Sequence, residues 1–152
     1  MALSPTALRD DRAATPRARA DSSAATGAAG AEALRAAFRS VRAFTAHLCE
    51  PLATEDYVIQ TMPDVSPTKW HLAHTSWFFE RFVLLPSLPG YREMHPQYNY
   101  LFNSYYNAVG YRHCRPKRGM ISRPTVADVY AYRAWVDEGV ERLLAGADDP
   151  LL

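Results

Sequence analysis

Apolar residues recur at helical spacing in three segments of the chain, and no segment shows the alternation of a half-buried strand. In the first segment they fall at Leu34, Phe38, Val41 and Leu48, and Pro51 ends the pattern. Spacings of three, four and seven residues place side chains on one face of a helix. The sequence therefore predicts an all-α fold.

The second helix has a clear beginning. Ser66 is suited to the N-cap and Pro67 to the first helical position. Because proline cannot continue a helix, we expect this one to end at the residue before Pro86.

The third helix is predicted to follow Pro124. Thr125 and Asp128 have the spacing of a capping box, and Gly146 suits the C-cap. The long connection before it, residues 86–123, is rich in proline, glycine, asparagine and tyrosine, with a short helix expected in YNYLFNSYYNAV. Such a long connection in a compact domain is usually functional.

Three amphipathic helices fill only part of a four-helix bundle. The sequence ends in Asp-Asp-Pro-Leu-Leu, where a fourth helix would be expected, and we interpret the chain as C-terminally incomplete. The open side would leave Trp70, Trp77 and Leu84 partly in water, and we expect a hydrophobic groove beside His74. The chain alone should then be only marginally stable.

The N-terminal segment differs in composition from the rest. Residues 1–31 are rich in alanine and arginine and contain no aromatic residue. A segment with so little to bury cannot offset the entropy of ordering, so it is predicted to be a disordered tail. The folded, incomplete helical domain would cover residues 32–152. No uninterrupted apolar stretch in the tail indicates a secretory signal.

Charge and composition exclude several classes of function. The net charge is +1, which gives no reason to expect a nucleic-acid partner or an anionic membrane. The most apolar run, WFFERFVLLP, is too short to span a bilayer. Two cysteines, Cys49 and Cys114, without an export signal fit a reducing cytoplasm.

Two histidines lie in the second helix, where the surrounding residues are aromatic and apolar. At about 100° per residue from Trp70, His74 falls at roughly 40°, near the centre of the apolar arc, and His71 at roughly 100°, near its edge. An inward His74 is either a hydrogen-bonded core residue or a metal ligand. A metal needs about three or four donors, and no two histidines of the chain have the i, i+4 spacing.

Two long strings carry a family resemblance: SPTKWHLAHTSWFFE (66–80) and FNSYYNAVGYRHCRPKRGMISRPTVADVYAYR (102–133). They closely resemble the N-terminal half of the ergothioneine-biosynthesis sulfoxide synthases, non-haem iron(II) enzymes whose first domain is a DinB-like four-helix bundle. The resemblance covers about residues 34 to 145. It implies that three of the bundle's long helices are present in this chain.

The resemblance also implies a metal ligand. In that family one iron-binding histidine comes from a W-x-L-A-H helix, which maps onto His74, and two come from an H-x-x-x-H on the fourth helix, which has no counterpart here. The catalytic tyrosine belongs to a second domain that is also missing. The implied cofactor is Fe(II), and the implied substrates are O2, trimethylhistidine (hercynine) and γ-glutamylcysteine or cysteine. The chain alone is expected neither to bind iron tightly nor to turn over substrate.

A basic loop follows the short connecting helix, with Arg112, Arg115, Lys117, Arg118 and Arg123. By its charge alone it is either a solvated loop or an anion-binding surface. The resemblance implies that an arginine of this loop approaches the carboxylate of the thiol substrate, and Arg115 and Arg118 are the two candidates.

Three other residues of this region lack a definite role. Arg133, on the apolar side of the third helix, requires a buried acid or faces the cavity. Tyr105 and Tyr106 either pack or line that cavity.

Two alternatives remain beside the synthase. A DinB-like metal-dependent thiol transferase shares the bundle and the three-histidine arrangement, and a non-catalytic helical module would bind a partner through the open groove. The gene sequence after codon 152 distinguishes them. An H-x-x-x-H helix with a second domain favours the synthase, that helix alone the transferase, and a stop codon the module.

Overall fold

The computed structural model describes residues 17–146, with side chains from residue 29 onward. Within that range every regular element is helical and no strand occurs, which confirms the all-α prediction. None of these described helices combines the length and hydrophobicity needed to cross a membrane. The elements are α1 (Arg17–His47), a 3-10 turn (Asp56–Val58), α2 (Thr68–Phe79), a π-helical turn (Glu80–Leu84), α3 (Leu85–Ser87), α4 (Tyr98–Phe102), two 3-10 turns (Asn107–Val109 and Arg115–Met120) and α5 (Val126–Ala145).

Helix α1 begins earlier than its apolar pattern predicts. It starts at Arg17, so residues 17–31 are helical although the sequence prediction assigned them to a disordered tail. Alanine has the highest helix propensity, and an alanine-rich segment continues a helix without a face to bury. The rest of that predicted tail, residues 1–16, lies outside the described residues.

Helix α2 begins and ends differently from the prediction. The N-cap is Pro67 and not Ser66, whose hydroxyl oxygen instead accepts a hydrogen bond from Arg118 Nη1 at 2.8 Å. Helical structure also continues past Pro86, through the π-helical turn into α3. Pro86 lies in α3, which directly follows the π-helical turn, and it donates no backbone hydrogen bond, and the helical segment ends one residue later, at Ser87.

Helix α5 follows the prediction at both ends. The Thr125 side chain accepts from the Asp128 N–H at 3.1 Å, and the Asp128 carboxylate accepts from the Thr125 N–H at 2.9 Å, which completes the capping box. Gly146 is the C-cap. The predicted short helix of the connection is also present, as α4.

The core lies between α2, α4 and α5. Its most buried large side chains include Trp77, Phe102 and Tyr132. Trp70, Trp77 and Leu84 are only 4, 1 and 0 % exposed, so the expectation that they would lie partly in water is wrong. The connection covers them, because α4 packs directly against α2.

The apolar groove lies elsewhere than expected. A groove of about 380 Å³ runs between α1, the end of α2 and α5. Beside His74 there is instead an aromatic patch, formed by the partly exposed rings of Phe78, Phe82 and Tyr106. Phe82 and Tyr106 contact Trp77. The residues that line the groove are Leu34, Ala37, Phe38, Val41, Arg42, Phe79, Val83, Val140, Leu143 and Leu144.

Candidate functional site

Three aromatic side chains of α2 form a stacked column. The rings of Trp70 and His74 are 4.5 Å apart with 14° between their planes, and those of His74 and Trp77 are 5.5 Å apart at 20°. The three residues are four and three positions apart, so helical geometry places them on one face. The imidazole thus lies between two indole rings.

Helix α4 supplies a hydrogen-bond acceptor to both tryptophans of this column. Trp70 Nε1 donates to the backbone oxygen of Leu101 at 2.9 Å, and Trp77 Nε1 donates to Asn99 Oδ1 at 3.0 Å. A buried indole N–H needs such a partner, because leaving it unpaired costs free energy. The short helix therefore fixes the orientation of both rings.

The same helix orients the imidazole. Nδ1 of His74 lies 2.7 Å from the backbone oxygen of Phe102. A carbonyl oxygen only accepts, so Nδ1 carries the hydrogen, and in the neutral ring Nε2 has the free lone pair. Burial, with a smaller contribution from Arg118, lowers the pKa of His74, which favours this neutral form. Nε2 has no hydrogen-bond partner among the described residues and keeps contact with solvent.

The position of His74 on α2 differs from the helical-wheel prediction. The side chain is half-buried, at the edge of the buried face and not near its centre. The buried face includes the polar residues Ser76 and Glu80, whereas the apolar Phe78 lies outside it. His71 is exposed, in agreement with its predicted edge position.

His74 does not belong to a complete set of metal ligands in the described part of the chain. Within residues 17–146 no three His, Cys, Asp or Glu side chains are grouped so that they could hold a metal ion. The hydrogen bond from Nδ1 to the Phe102 oxygen is nevertheless typical of a metal ligand. Metal-binding histidines commonly donate from the other ring nitrogen to a carbonyl or carboxylate. The remaining donors of a metal site would have to come from outside these residues.

Arg118 is directly linked to this column. Its guanidinium carbon lies 3.5 Å from the centre of the Trp70 ring, and Nη1 donates to Ser66 Oγ. The side chain is only 4 % exposed, and burial together with the nearby Arg115 lowers its pKa to about 10. A buried guanidinium that stacks on an indole gains a cation–π interaction, which partly offsets the lost hydration.

Arg115 lies farther out on the same loop. Its Nη1 donates to the backbone oxygen of Asp64 at 3.4 Å, and its guanidinium lies 4.8 Å from the ring centre of Tyr105. Neither Arg115 nor Arg118 forms an ion pair with a carboxylate among residues 29–146. Tyr105 is thus in contact with the basic loop, whereas Tyr106 belongs to the aromatic patch.

Arg133 lacks the buried acid that was one of the two expectations from the sequence. It forms no ion pair with a carboxylate among residues 29–146. Its guanidinium donates to the backbone oxygens of Leu72 and Arg42 and to Thr75 Oγ1, each at 3.4 Å. The nearby acid, Asp137, pairs with Arg42 at 2.7 Å. Backbone carbonyls from two other helices therefore replace the acid that the sequence pattern required.

Glu80 is a buried group that sequence reasoning did not assign. Its carboxylate accepts from Tyr91 Oη at 3.0 Å, from Tyr132 Oη at 2.5 Å and from the backbone N–H of Met94 at 3.1 Å. Burial raises its pKa, although these three donors oppose the shift. The only sequence signal for this buried carboxylate is the position of a glutamate within an apolar run. Its tyrosine partners lie on other elements, so the sequence does not reveal them.

Comparison with known proteins identifies the family. No curated protein matches the chain. The model of the DinB superfamily matches residues 37–152, which is most of the sequence and includes all of α2, α4 and α5. The helical fold and this match agree, and the chain belongs to the DinB superfamily.

Proposed function

We propose that this chain is the N-terminal part of a non-haem iron(II), O2-dependent sulfoxide synthase. The reaction joins the sulfur of a cysteine-type thiol to the imidazole C2 of trimethylhistidine and oxidises that sulfur to the sulfoxide, a step of ergothioneine biosynthesis. The proposed enzyme acts in the cytoplasm. Its partners are these small molecules, and we propose neither a nucleic-acid nor a membrane partner.

The state of His74 is the observation that carries the proposal. Its Nδ1 hydrogen is committed to the Phe102 oxygen at 2.7 Å, and Nε2 has no partner among the described residues. A neutral imidazole with a free Nε2 lone pair is the form that binds a metal. Since Trp70 and Trp77 stack on both sides of the ring, Nε2 is held in one direction.

Nε2 of His74 would suit Fe(II) as one of its three protein ligands. We propose that two further histidines are contributed by residues outside 17–146. When bound, ferrous iron would provide open positions for dioxygen and for the thiol sulfur. The residues of this chain then hold the imidazole in its tautomer and orientation, and they exclude water from one side of it.

The basic loop supports a carboxylate-bearing substrate. Arg115 and Arg118 have no carboxylate partner among the described residues, and a guanidinium binds a carboxylate with two parallel hydrogen bonds. Arg118 is buried, whereas Arg115 is half-buried, so Arg115 is the more available of the two. We propose that one of them binds the carboxylate of the thiol substrate.

An assay on the protein encoded by the complete gene tests this function. The purified protein is loaded anaerobically with Fe(II), mixed with trimethylhistidine and either γ-glutamylcysteine or cysteine, and exposed to O2. Mass spectrometry should detect the C2-linked sulfoxide, and a separate measurement of dissolved O2 should show that O2 is consumed. A matched reaction without O2 should form no product.

Two outcomes would replace the proposal. Transfer of the thiol to another acceptor without O2 consumption would favour the metal-dependent thiol transferase, which is equally compatible with membership of the DinB superfamily. Absence of any metal-dependent turnover, with a folded protein that captures a protein partner, would favour the helical interaction module.

A further inference from the structure

A cavity with both polar and apolar walls lies beside α4. Its volume is about 400 Å³, within the range of small-molecule sites. It is bounded by α4, by the segment before it and by the first turn of α5. The residues that line it are Met94, His95, Gln97, Tyr98, Leu101, Arg123, Pro124, Asp128 and Ala131.

The hydroxyl of Tyr98 is the unusual feature of this cavity. The side chain is only 8 % exposed, and its ring packs against Tyr132 and Phe102. Yet the hydroxyl makes no hydrogen bond to any described residue, whereas Tyr91 and Tyr132 both donate to Glu80. The hydroxyl oxygen itself keeps contact with solvent although the rest of the side chain is buried, so it is available to a ligand that enters the cavity. Burial raises the pKa of Tyr98, so the phenol remains a donor.

Two opposite charges border the same cavity without pairing with each other. Arg123 donates through Nη1 to the backbone oxygen of Ser122 and forms no ion pair within the described residues. Asp128 uses Oδ2 for both hydrogen bonds to Thr125, which leaves Oδ1 without a partner there. An arginine and an aspartate that form no ion pair among residues 29–146 therefore border the same cavity.

A further donor comes from His95. Its ring stacks on Tyr98 with centroids 4.9 Å apart, and its Nδ1 accepts from the backbone N–H of Gln97 at 3.2 Å. In the neutral ring the hydrogen is therefore on Nε2. Apolar side chains, Met94 and Leu101, complete the wall.

We propose that this cavity binds a small zwitterion of the α-amino-acid class. The carboxylate of the ligand pairs with Arg123, its ammonium group pairs with Asp128, and the Tyr98 hydroxyl donates to the carboxylate. The apolar part of the ligand lies against Met94 and Leu101. None of the lining residues belongs to the stacked column or is one of the two candidate loop arginines, Arg115 and Arg118. The site therefore does not depend on the proposed function of His74.

A titration of the ¹⁵N-labelled chain with three related probes tests this assignment. L-leucine carries both charges, 4-methylpentanoate only the carboxylate and isopentylamine only the ammonium group. Leucine should give saturable shifts of the backbone amides of Gln97, Tyr98 and Asp128. Each single-charge probe should bind about tenfold more weakly, since a charged hydrogen bond is lost.

Substitutions separate this site from general surface binding. Arg123→Ala should weaken leucine binding about tenfold, and Tyr98→Phe should weaken it by about threefold while the ring keeps its packing. Arg92→Ala, the matched control at an exposed arginine outside the cavity, should leave the affinity unchanged. The same spectra report whether each variant is folded. Equal affinity for leucine and 4-methylpentanoate, unchanged binding by folded Arg123→Ala, or no saturable shift with leucine would each overturn the proposal.

Discussion

His74 Nδ1 and the backbone oxygen of Phe102 lie 2.7 Å apart, although 28 positions separate the two residues in the sequence. This contact decides which ring nitrogen of His74 is free. It also links the segment between α2 and α5, which contains α4, to the proposed metal ligand. A substitution that shifts α4 would therefore alter the tautomer or the orientation of the His74 ring, although His74 itself is unchanged.

The first prediction compares the two histidines of α2 in the complete protein. His74→Ala should lower bound Fe(II) and activity by more than about tenfold, because it removes the Nε2 lone pair. His71→Ala should keep most of the metal, since His71 is exposed and outside the stacked column. Iron content after desalting measures both variants. Equal loss in the two would show that the wrong histidine has been assigned.

The sequence predicted the candidate ligand but not its surroundings. The W-x-L-A-H spacing places His74 next to Trp70 on one helical face. Its acceptor, however, is a backbone carbonyl, and a carbonyl has no sequence signature. The same applies to Arg133, which binds the carbonyls of Leu72 and Arg42 where the pattern required an acid.

The second prediction concerns the acceptor of Trp77. Asn99→Ala removes the oxygen that accepts from Nε1 at 3.0 Å and leaves a donor unpaired on a side chain that is 1 % exposed. We expect a loss of about 1–3 kcal/mol in the free energy of unfolding. Urea denaturation measures it. In a Trp77→Phe background, where that donor is absent, the same Asn99→Ala substitution should cost less. An equal cost in both backgrounds would contradict the assignment.

Both ends of α5 were predicted correctly, whereas the ends and the buried face of α2 were not. The capping box of Thr125 and Asp128 is local, so residues three positions apart determine it. The face of α2 depends on distant partners. Ser76 is buried because Arg42 donates to its hydroxyl at 3.0 Å, and Glu80 is buried because two tyrosines donate to it. A helical wheel uses only the residues of one helix, so it cannot predict hydrogen bonds to partners on other elements.

The third prediction is a pH dependence from Glu80. Burial raises its pKa above 4.5, the usual value for a glutamate, so the folded state disfavours the charged form. The contribution of this group to stability is therefore fully present below pH 4.5 and is lost as pH rises through the folded-state pKa. In Glu80→Gln the side chain does not titrate, so the variant does not lose this stability as pH rises. The stability of the variant relative to the natural chain should increase as pH rises from about 5 to about 8.

Urea denaturation at several pH values measures the effect of Glu80→Gln. Glu138→Gln is the control, because Glu138 is exposed on α5. The relative stability of the control should not change over the same range. A Glu80→Gln variant whose relative stability falls with rising pH would show that the three donors outweigh burial.

The last prediction concerns the contact between α5 and the π-helical turn. A Cβ added at Gly139 would lie 2.8 Å from Leu84 Cδ1 and 2.9 Å from the Tyr91 ring, closer than carbon atoms pack. Alanine raises helix propensity by about 1 kcal/mol, but forcing extra volume into a packed core costs about 1–3 kcal/mol. Because Leu84 is fully buried and cannot move into solvent, we expect Gly139→Ala to lower the melting temperature. Gly146→Ala is the matched control, since its added Cβ would meet nothing closer than 3.7 Å. A Gly139→Ala variant at least as stable as the Gly146→Ala control would mean that α5 and the π-helical turn are not in such close contact.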